Sequence, residues 1–226
     1  MLDKLKYLFI KKIYADHNDA KPVRAILREL LVNLSLDAKG LNVGAGQTKV
    51  DPRIMNMEIE PGEGIDIVGS VEDIPCDSNF FDLVITQEVL EHVRSPHLAV
   101  KEIHRVLKPN GIAYIQLPFI IGYHPCPKDY WRFTHEGLIE LVESANFEVM
   151  KIAVTVGPAV GFYRISVEFF AIVMAAIYSK LYKPAKLLFS IIFFPVKWLD
   201  PLLKRSDEMN RIAGGYFIVC RKNSRS

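Results

Sequence analysis

Apolar positions divide the 226-residue chain into three stretches of different character. Near the start, Leu2, Leu5, Phe9 and Ile13 recur at helical spacing among Lys4, Lys6, Lys11 and Lys12, which predicts a short basic amphipathic helix over 2–14. A second helix is predicted from Pro22, a good first-turn residue, to about Leu36, with Val23, Ile26, Leu27, Leu30, Leu31 and Leu34 along one side. The middle then alternates short apolar runs with helical patterns, the signature of a mostly parallel sheet. Strands are expected at 40–43, 54–59, 65–68, 83–86, 112–117, about 147–156 and 216–220. Ser95 and Pro96 open a helix with Ala99, Ile103, Val106 and Leu107 inward, ending before the turn Lys108-Pro109-Asn110-Gly111. Another helix is predicted over 136–144. Seven residues separate Gly46 from Ile54, and Ile59 to Ile65 is shorter still, whereas a parallel crossover takes about a dozen. The first two crossover helices are therefore expected to be vestigial or absent, with the N-terminal helices covering that half of the sheet.

The third stretch is unusually apolar: 25 of the 35 residues from 165 to 199. Two runs, 167–178 and 187–199, are separated by a segment with three lysines. Each is shorter than the roughly 20 residues a membrane span requires, and the first carries Glu168. Helices lying in a membrane interface fit better, with Lys197, Lys204 and Arg205 near anionic headgroups and Tyr178 and Trp198 at interfacial depth. A homodimer contact or a hairpin capping the sheet are the alternatives. The expected division is 1–37 as N-terminal helices, 38–156 with 212–222 as the α/β domain, and 157–211 as the apolar insertion.

Charge and cysteine usage narrow the function classes. A formal net charge of +2 is too small for a dedicated nucleic-acid binder, which needs a basic surplus on one face. Cys76, Cys126 and Cys220 are far apart and odd in number, which suggests neither a disulfide framework nor a CxxC metal pair and points to a reducing cytosol. The start shows no pattern of a secretory signal.

Candidate chemistry begins at Asn42-Val43-Gly44-Ala45-Gly46, where a glycine turn after a buried strand lets backbone approach a ligand closely. Glu58, at the end of the next strand, is placed to accept both hydrogens of a ribose diol. A nicotinamide-binding dehydrogenase would share these features, but its fingerprint wants glycine where Lys49 stands. Two later blocks, 81–93 (Phe-Asp-Leu-Val-Ile-Thr-Gln-Glu-Val-Leu-Glu-His-Val) and 105–111 (Arg-Val-Leu-Lys-Pro-Asn-Gly), closely resemble the class I S-adenosylmethionine-dependent methyltransferase family. The stretch Asp129-Tyr130-Trp131-Arg132-Phe133-Thr134 resembles a motif of small bacterial and archaeal methyltransferases associated with surface-polysaccharide synthesis. The resemblance covers about 41–149.

It implies an α/β fold with a Rossmann-like, mostly parallel sheet and an antiparallel last strand, here elaborated by the apolar helical insertion before that strand. It also implies S-adenosylmethionine as cofactor, with Asn42, Gly44, Ala45 and Gly46 at the methionyl part, Glu58 at the ribose, Ile59, Ser70 and Val71 around the adenine, and Gln87 beside the sulfonium. Three positions depart from the family pattern: Ser70 replaces an aspartate, Thr48 a third glycine, and Asn110 a glycine.

Methyl transfer is an in-line displacement, so alignment matters most and a hydroxyl acceptor additionally gains from a base. His92, His124, Asp129 and His135 are the candidate bases, in loops after the fourth and fifth strands. Asp129 and Arg132 have a structural alternative, pairing with each other to fix the loop. His124, Cys126 and His135 match no closed zinc spacing, so no metal is expected. The expected activity is O-methylation of a sugar or lipid-linked glycan at the cytoplasmic membrane face. The alternatives are a quinone or lipid methyltransferase and a non-catalytic binding module of the same fold.

Overall fold

The computed structural model describes residues 17–46 and 49–224, so the helix predicted over 2–14 lies outside the described residues. The described residues form two compact units, one of residues 25–46, 49–118, 124–153 and 216–224, the other of residues 17–24, 119–123 and 154–215.

The first unit is built on a seven-stranded sheet in the order β3-β2-β1-β4-β5-β7-β6. The strands are β1 (Gly40–Val43), β2 (Ile54–Glu58), β3 (Ile67–Val68), β4 (Phe81–Gln87), β5 (Leu107–Pro118), β6 (Phe147–Val154) and β7 (Gly215–Lys222). The helices are α1 (Lys21–Asn33), α2 (Pro96–Val106) and α3 (His135–Glu143). β1 lies parallel to β2 and to β4, with Gly40 opposite both Ile54 and Leu83. All four β1 residues are buried, as are Leu83, Val84, Ile85, Ala113, Tyr114 and Ile115, because a central parallel strand is covered on both faces. In α2, Ala99, Ile103 and Val106 are buried, the inward face that the spacing predicts. No helix stands between β1 and β2 or between β2 and β3 among the described residues, as the short spacings require.

Several boundaries shift for local reasons. Helix α1 stops at Asn33, three residues before Leu36, where the Arg53 guanidinium takes the carbonyls of Leu31 (2.9 Å) and Leu34 (2.6 Å) that a further turn would have bonded. Arg53 is itself fixed by Asp51, through Nε to Oδ1 (2.8 Å) and Nη2 to Oδ2 (2.9 Å). β3 keeps only Ile67 and Val68 of the predicted 65–68; Asp66 instead accepts the Asn56 N–H (2.7 Å) and pairs with Lys49 (3.0 Å). β5 begins at Leu107, so the predicted turn is a bulge inside the strand: Phe81 faces Leu107 and Leu83 faces Ile112. Asn110 sits there at φ +64°, a left-handed conformation that asparagine tolerates better than most residues, which accounts for a non-glycine at this position.

The second unit carries the apolar stretch. Its backbone bonds also give the direction of the last strand. Phe119 N–H donates to Gly214 O and Ile120 N–H to Ala213 O, while Gly214 N–H donates to Val156 O and Thr155 N–H to Gly215 O. Partner numbers fall on one side as they rise on the other, so β7 runs antiparallel to its neighbours.

Helices α4 (Pro158–Ile177), α5 (Tyr182–Phe193) and the short α6 (Asp200–Leu203) follow, joined by 3-10 turns. The expectation of two short apolar helices is corrected here: α4 is 20 residues long, beginning nine residues before Val167, and is long and apolar enough by length and composition to cross a membrane. It extends because Pro158 occupies its first turn and because buried Asp200 supplies the missing cap, accepting Gly157 N–H at Oδ2 (2.9 Å) and Ala159 N–H at Oδ1 (2.8 Å). A Cβ on Gly157 would stand 2.6 Å from Asp200 Oδ1, so this cap requires glycine. Val160, Tyr163, Val167 and Ala171 are buried at helical spacing, while Phe162, Ile165, Phe169 and Ile172 on the other side are exposed. Glu168, the charge within the apolar run, pairs with Lys186 and accepts the Tyr182 hydroxyl (2.7 Å), both on α5. Phe170 stacks against Phe189 and Phe193 of α5, with ring centroids 4.9 and 5.5 Å apart.

Candidate functional site

The carboxyl ends of β1, β2 and β4 open into a cleft of about 380 Å³, within the size range of small-molecule sites. An open α/β sheet places a ligand there because the loops diverge at the strand ends. Gly44, Glu58, Ile59, Ser70 and Val71 line the cleft, five of the nine positions predicted for the cofactor. Asn42, Ala45, Gly46 and Gln87 do not line it. Asn42 is buried within β1, and Ala45 N–H donates to Met57 O (3.3 Å). Gly46 N–H donates to Glu58 Oε1 (2.6 Å), which orients the carboxylate that the cleft presents. Gln87 turns to the neighbouring strand, where its Nε2 donates to Gln116 Oε1 (3.2 Å), an acceptor also used by the Tyr114 hydroxyl (2.8 Å).

Gly44 has a steric reason to be glycine. Its φ is +66°, and a Cβ there would meet Val89 Cγ2 at 2.3 Å. The turn after β1 is thus fitted against the loop after β4. That loop supplies what the sequence reading missed: Glu88, at the strained φ of +58°, and Val89 both line the cleft. The only sequence signal for Glu88 was its place directly after Gln87. Ser70 Oγ accepts the Glu72 N–H (3.1 Å) and Ser70 O accepts the Asp73 N–H (3.1 Å), so this serine folds the turn that follows β3.

His92, Lys128 and Tyr130, with Cys126 and Pro127, also line the cleft. The DYWRFT segment is docked here by main-chain bonds: Tyr130 N–H and Trp131 N–H both donate to Glu91 O (2.7 and 3.2 Å), and the Trp131 indole donates to Val93 O (3.0 Å). Thr134 Oγ1 accepts Gly137 N–H (3.0 Å) and caps α3. Asp129 and Arg132 form a two-pronged pair, Nη1 to Oδ1 and Nη2 to Oδ2 at 2.6 Å each, and the Arg132 guanidinium holds the Asp129 carboxyl at about 2, well below the usual carboxylate range. Asp129 also accepts the His124 N–H (2.9 Å). A carboxylate so engaged is a fixed anion and a poor proton acceptor, which separates it from the other candidate bases.

His92 and His124 meet edge to face with ring centroids 5.2 Å apart. Between them lies Glu91, fully buried at 0 % exposure, with Oε1 3.6 Å from His92 Nε2 and 3.8 Å from His124 Nε2. Burial pushes the Glu91 carboxyl above its ordinary range, opposed by the two imidazoles. His92 Nδ1 lies 2.5 Å from Lys128 O; a carbonyl only accepts, so Nδ1 carries a hydrogen and Nε2 faces Glu91. His135, the fourth candidate, lies apart from this group as the first residue of α3, with its ring edge against Tyr216 (5.8 Å).

Residues 32–115 match the family model described as a methyltransferase domain. Over this stretch, a little over a third of the chain, the sequence is similar to methyltransferase domains. A curated relative, an uncharacterized methyltransferase of Schizosaccharomyces pombe, is 35% identical over 63 residues, which is 28% of this chain and 23% of that protein. The match thus spans about a quarter of the relative's length. Among solved structures, the fold resembles the Burkholderia thailandensis 1,6-didemethyltoxoflavin-N1-methyltransferase with bound 1,6-didemethyltoxoflavin and S-adenosylhomocysteine (TM-score 0.56, 16% identity, 98% of this chain and 86% of that one). It also resembles the Haemonchus contortus phosphoethanolamine N-methyltransferase 2 in complex with phosphomonomethylethanolamine and S-adenosylhomocysteine (0.54, 11%, 94% and 56%). A third similar structure is the [4+2]-cyclase SpnF (0.54, 18%, 89% and 81%), so the shared fold does not by itself set the chemistry. S-adenosylmethionine is the cofactor this family implies, and the residues present fit it: a glycine turn that a Cβ would obstruct, an acid at the end of β2, and an apolar wall of Ile59 and Val71.

Proposed function

We propose that this methyltransferase transfers the methyl group of S-adenosylmethionine to a hydroxyl oxygen of a sugar or lipid-linked glycan at the cytoplasmic face of a membrane. The observation that carries the reading is the cleft itself, which Gly44, Glu58 and His92 line together. When bound, the cofactor supplies an electrophilic methyl on a sulfonium, leaving as a neutral thioether. Gly44 gives it close backbone approach, Glu58 takes the ribose diol, and Ile59 and Val71 sandwich the adenine, with Ser70 contributing main chain. The Glu91–His92–His124 group activates the acceptor hydroxyl, and Asp129, anchored by Arg132, acts through His124 as a positioning residue. Tyr130 and Trp131, 44% and 42% exposed, supply flat apolar surface of the kind that sugar rings stack on.

Membrane placement rests on the second unit. Residues 154–215 carry eight basic against four acidic side chains, although the whole chain has a surplus of only two, and their exposed residues include Phe162, Phe169, Ile172, Ile177 and Trp198. Such a combination favours anionic lipid surfaces.

Titration calorimetry with S-adenosylhomocysteine tests the cofactor assignment. The expected result is 1:1 binding that falls about 100-fold in Glu58→Ala, since two hydrogen bonds to a charged group are lost. Absence of binding at millimolar ligand would leave a non-catalytic module of this fold as the better reading. Mass-spectrometric detection of a product 14 mass units heavier (roughly, one methyl for one hydrogen) in a glycan extract tests the acceptor class.

A further inference from the structure

We propose that Glu91, His92 and His124 form a binding site for one divalent transition-metal cation, which holds and acidifies the acceptor hydroxyl. One donor atom from each residue lies within 4.8 Å of the others. Donors at about 2.1 Å from a common cation stand roughly 3 to 4 Å apart, and the two Glu91 distances of 3.6 and 3.8 Å fall in that interval. Both exceed a direct hydrogen bond. A fully buried carboxylate is costly without a cation at close range, and this one is enclosed by two imidazole nitrogens that are themselves metal donors.

The second ring nitrogen of His92 is held in the manner of a metal ligand. His92 Nδ1–H donates to Lys128 O, which turns Nε2 toward Glu91. His124 Nδ1 has Asp129 Oδ2 at 3.5 Å and Arg132 Nη2 at 3.2 Å. Arg132 only donates, so its Nη2 bonds a lone pair on His124 Nδ1; a cation on Nε2 requires the ring hydrogen to shift to Nδ1, with Asp129 Oδ2, held by the Arg132 fork, as the nearby acceptor. Two imidazoles and one carboxylate form a set that zinc and manganese(II) accept, whereas magnesium and calcium prefer oxygen donors throughout. Three protein ligands leave positions open for an acceptor, and His92 lines the cofactor cleft. In the reaction, the coordinated hydroxyl loses its proton to solvent water. The alkoxide oxygen then forms the O–CH3 bond as the S–CH3 bond breaks, and the thioether leaves with the electron pair. This departs from the expectation of no metal, because the three residues fit no zinc spacing along the chain and meet only in the fold.

The role in the reaction rests on the methyltransferase reading, whereas metal binding itself does not, so the two are measured separately. The full chain, stripped with chelator, is titrated with Zn2+ and with Mn2+, with Mg2+ as comparison, and bound metal is counted by elemental mass spectrometry. The expected result is one tight Zn2+ or Mn2+ per chain, weakened at least about tenfold in Glu91→Gln and in His124→Asn and unchanged in His97→Ala. Circular dichroism melting confirms that each variant folds; His124→Asn carries the test if Glu91→Gln does not. Equal metal affinity in wild type and His124→Asn, or no stoichiometric metal in the wild type, overturns the proposal. S-adenosylhomocysteine binding without metal binding removes the metal site alone, and metal binding without S-adenosylhomocysteine binding supports the site while removing the cofactor reading.

Discussion

At the scale of single residues, the cleft depends on positions where one atom more would be too many. Gly44 has no room for a Cβ because Val89 reaches it across two strand ends, and its φ of +66° is unfavourable for any L side chain. Gly44→Ala is therefore expected to displace the loop after β4 and to weaken S-adenosylhomocysteine binding by more than about tenfold, with little change in the circular dichroism of the folded chain. Calorimetry on the purified variant checks this, and wild-type affinity would show that the turn tolerates the clash. Glycine at 44 and acid at 58 were legible along the chain because each answers to a local rule, a tight turn or a strand end. Glu88 was not legible. Its importance comes from a left-handed backbone at the end of β4 that aims the loop into the cleft, and nothing in its neighbours' apolar pattern announces that. Glu91 was hidden for the opposite reason: an acid beside a histidine reads as an exposed loop, and only packing shows it fully buried.

At the scale of elements, helix ends and strand ends are closed by side chains distant in sequence. Arg53 ends α1 by binding its last carbonyls and is held by Asp51, while Asp200 begins α4 from 41 residues away. The Asp51–Arg53 pair has a pH signature. Hydrogen bonds from Arg53 hold the Asp51 carboxyl at about 2, below its ordinary value of 3.8. A lowered carboxyl value means that its stabilising contribution is complete above about pH 4 and is lost as the pH falls through about 2, because the unfolded chain takes up the proton first. The urea midpoints of wild type and Asp51→Asn should therefore differ most near neutrality and converge between about pH 4 and pH 2. A gap that stays constant over that interval would assign the pair no role in stability. Strand and helix periodicities located nearly every element, whereas their ends moved by a few residues wherever a partner such as Arg53 or Asp200 supplied the stop.

At the scale of the whole molecule, the apolar stretch has two faces with different roles. Val160, Tyr163, Val167 and Ala171 are buried within their unit, and Phe169 and Ile172 are 59% exposed. If that exposed face meets lipid, the chain should float with vesicles containing about one-third anionic phospholipid, and less so at high salt. The double substitution Phe169→Asp/Ile172→Asp should leave the protein in the aqueous fraction; equal flotation of both proteins would remove the membrane assignment. The sequence by itself determined the fold class, the truncated crossovers, the cofactor's chemical class and the presence of an excess apolar stretch. The crossovers and the apolar stretch follow from period and spacing, which act over a few residues, whereas the cofactor's class is what the resemblance of 81–93 and 105–111 to a known family implies. Tertiary structure alone decided that Asp129 is locked by Arg132, that Gln87 faces Gln116 rather than the cleft, that α4 runs for 20 residues, and that Glu91 and His92 meet His124 from a distant loop. Each of those depends on side chains brought together across separate strands, loops or helices, and on the removal of water from between them.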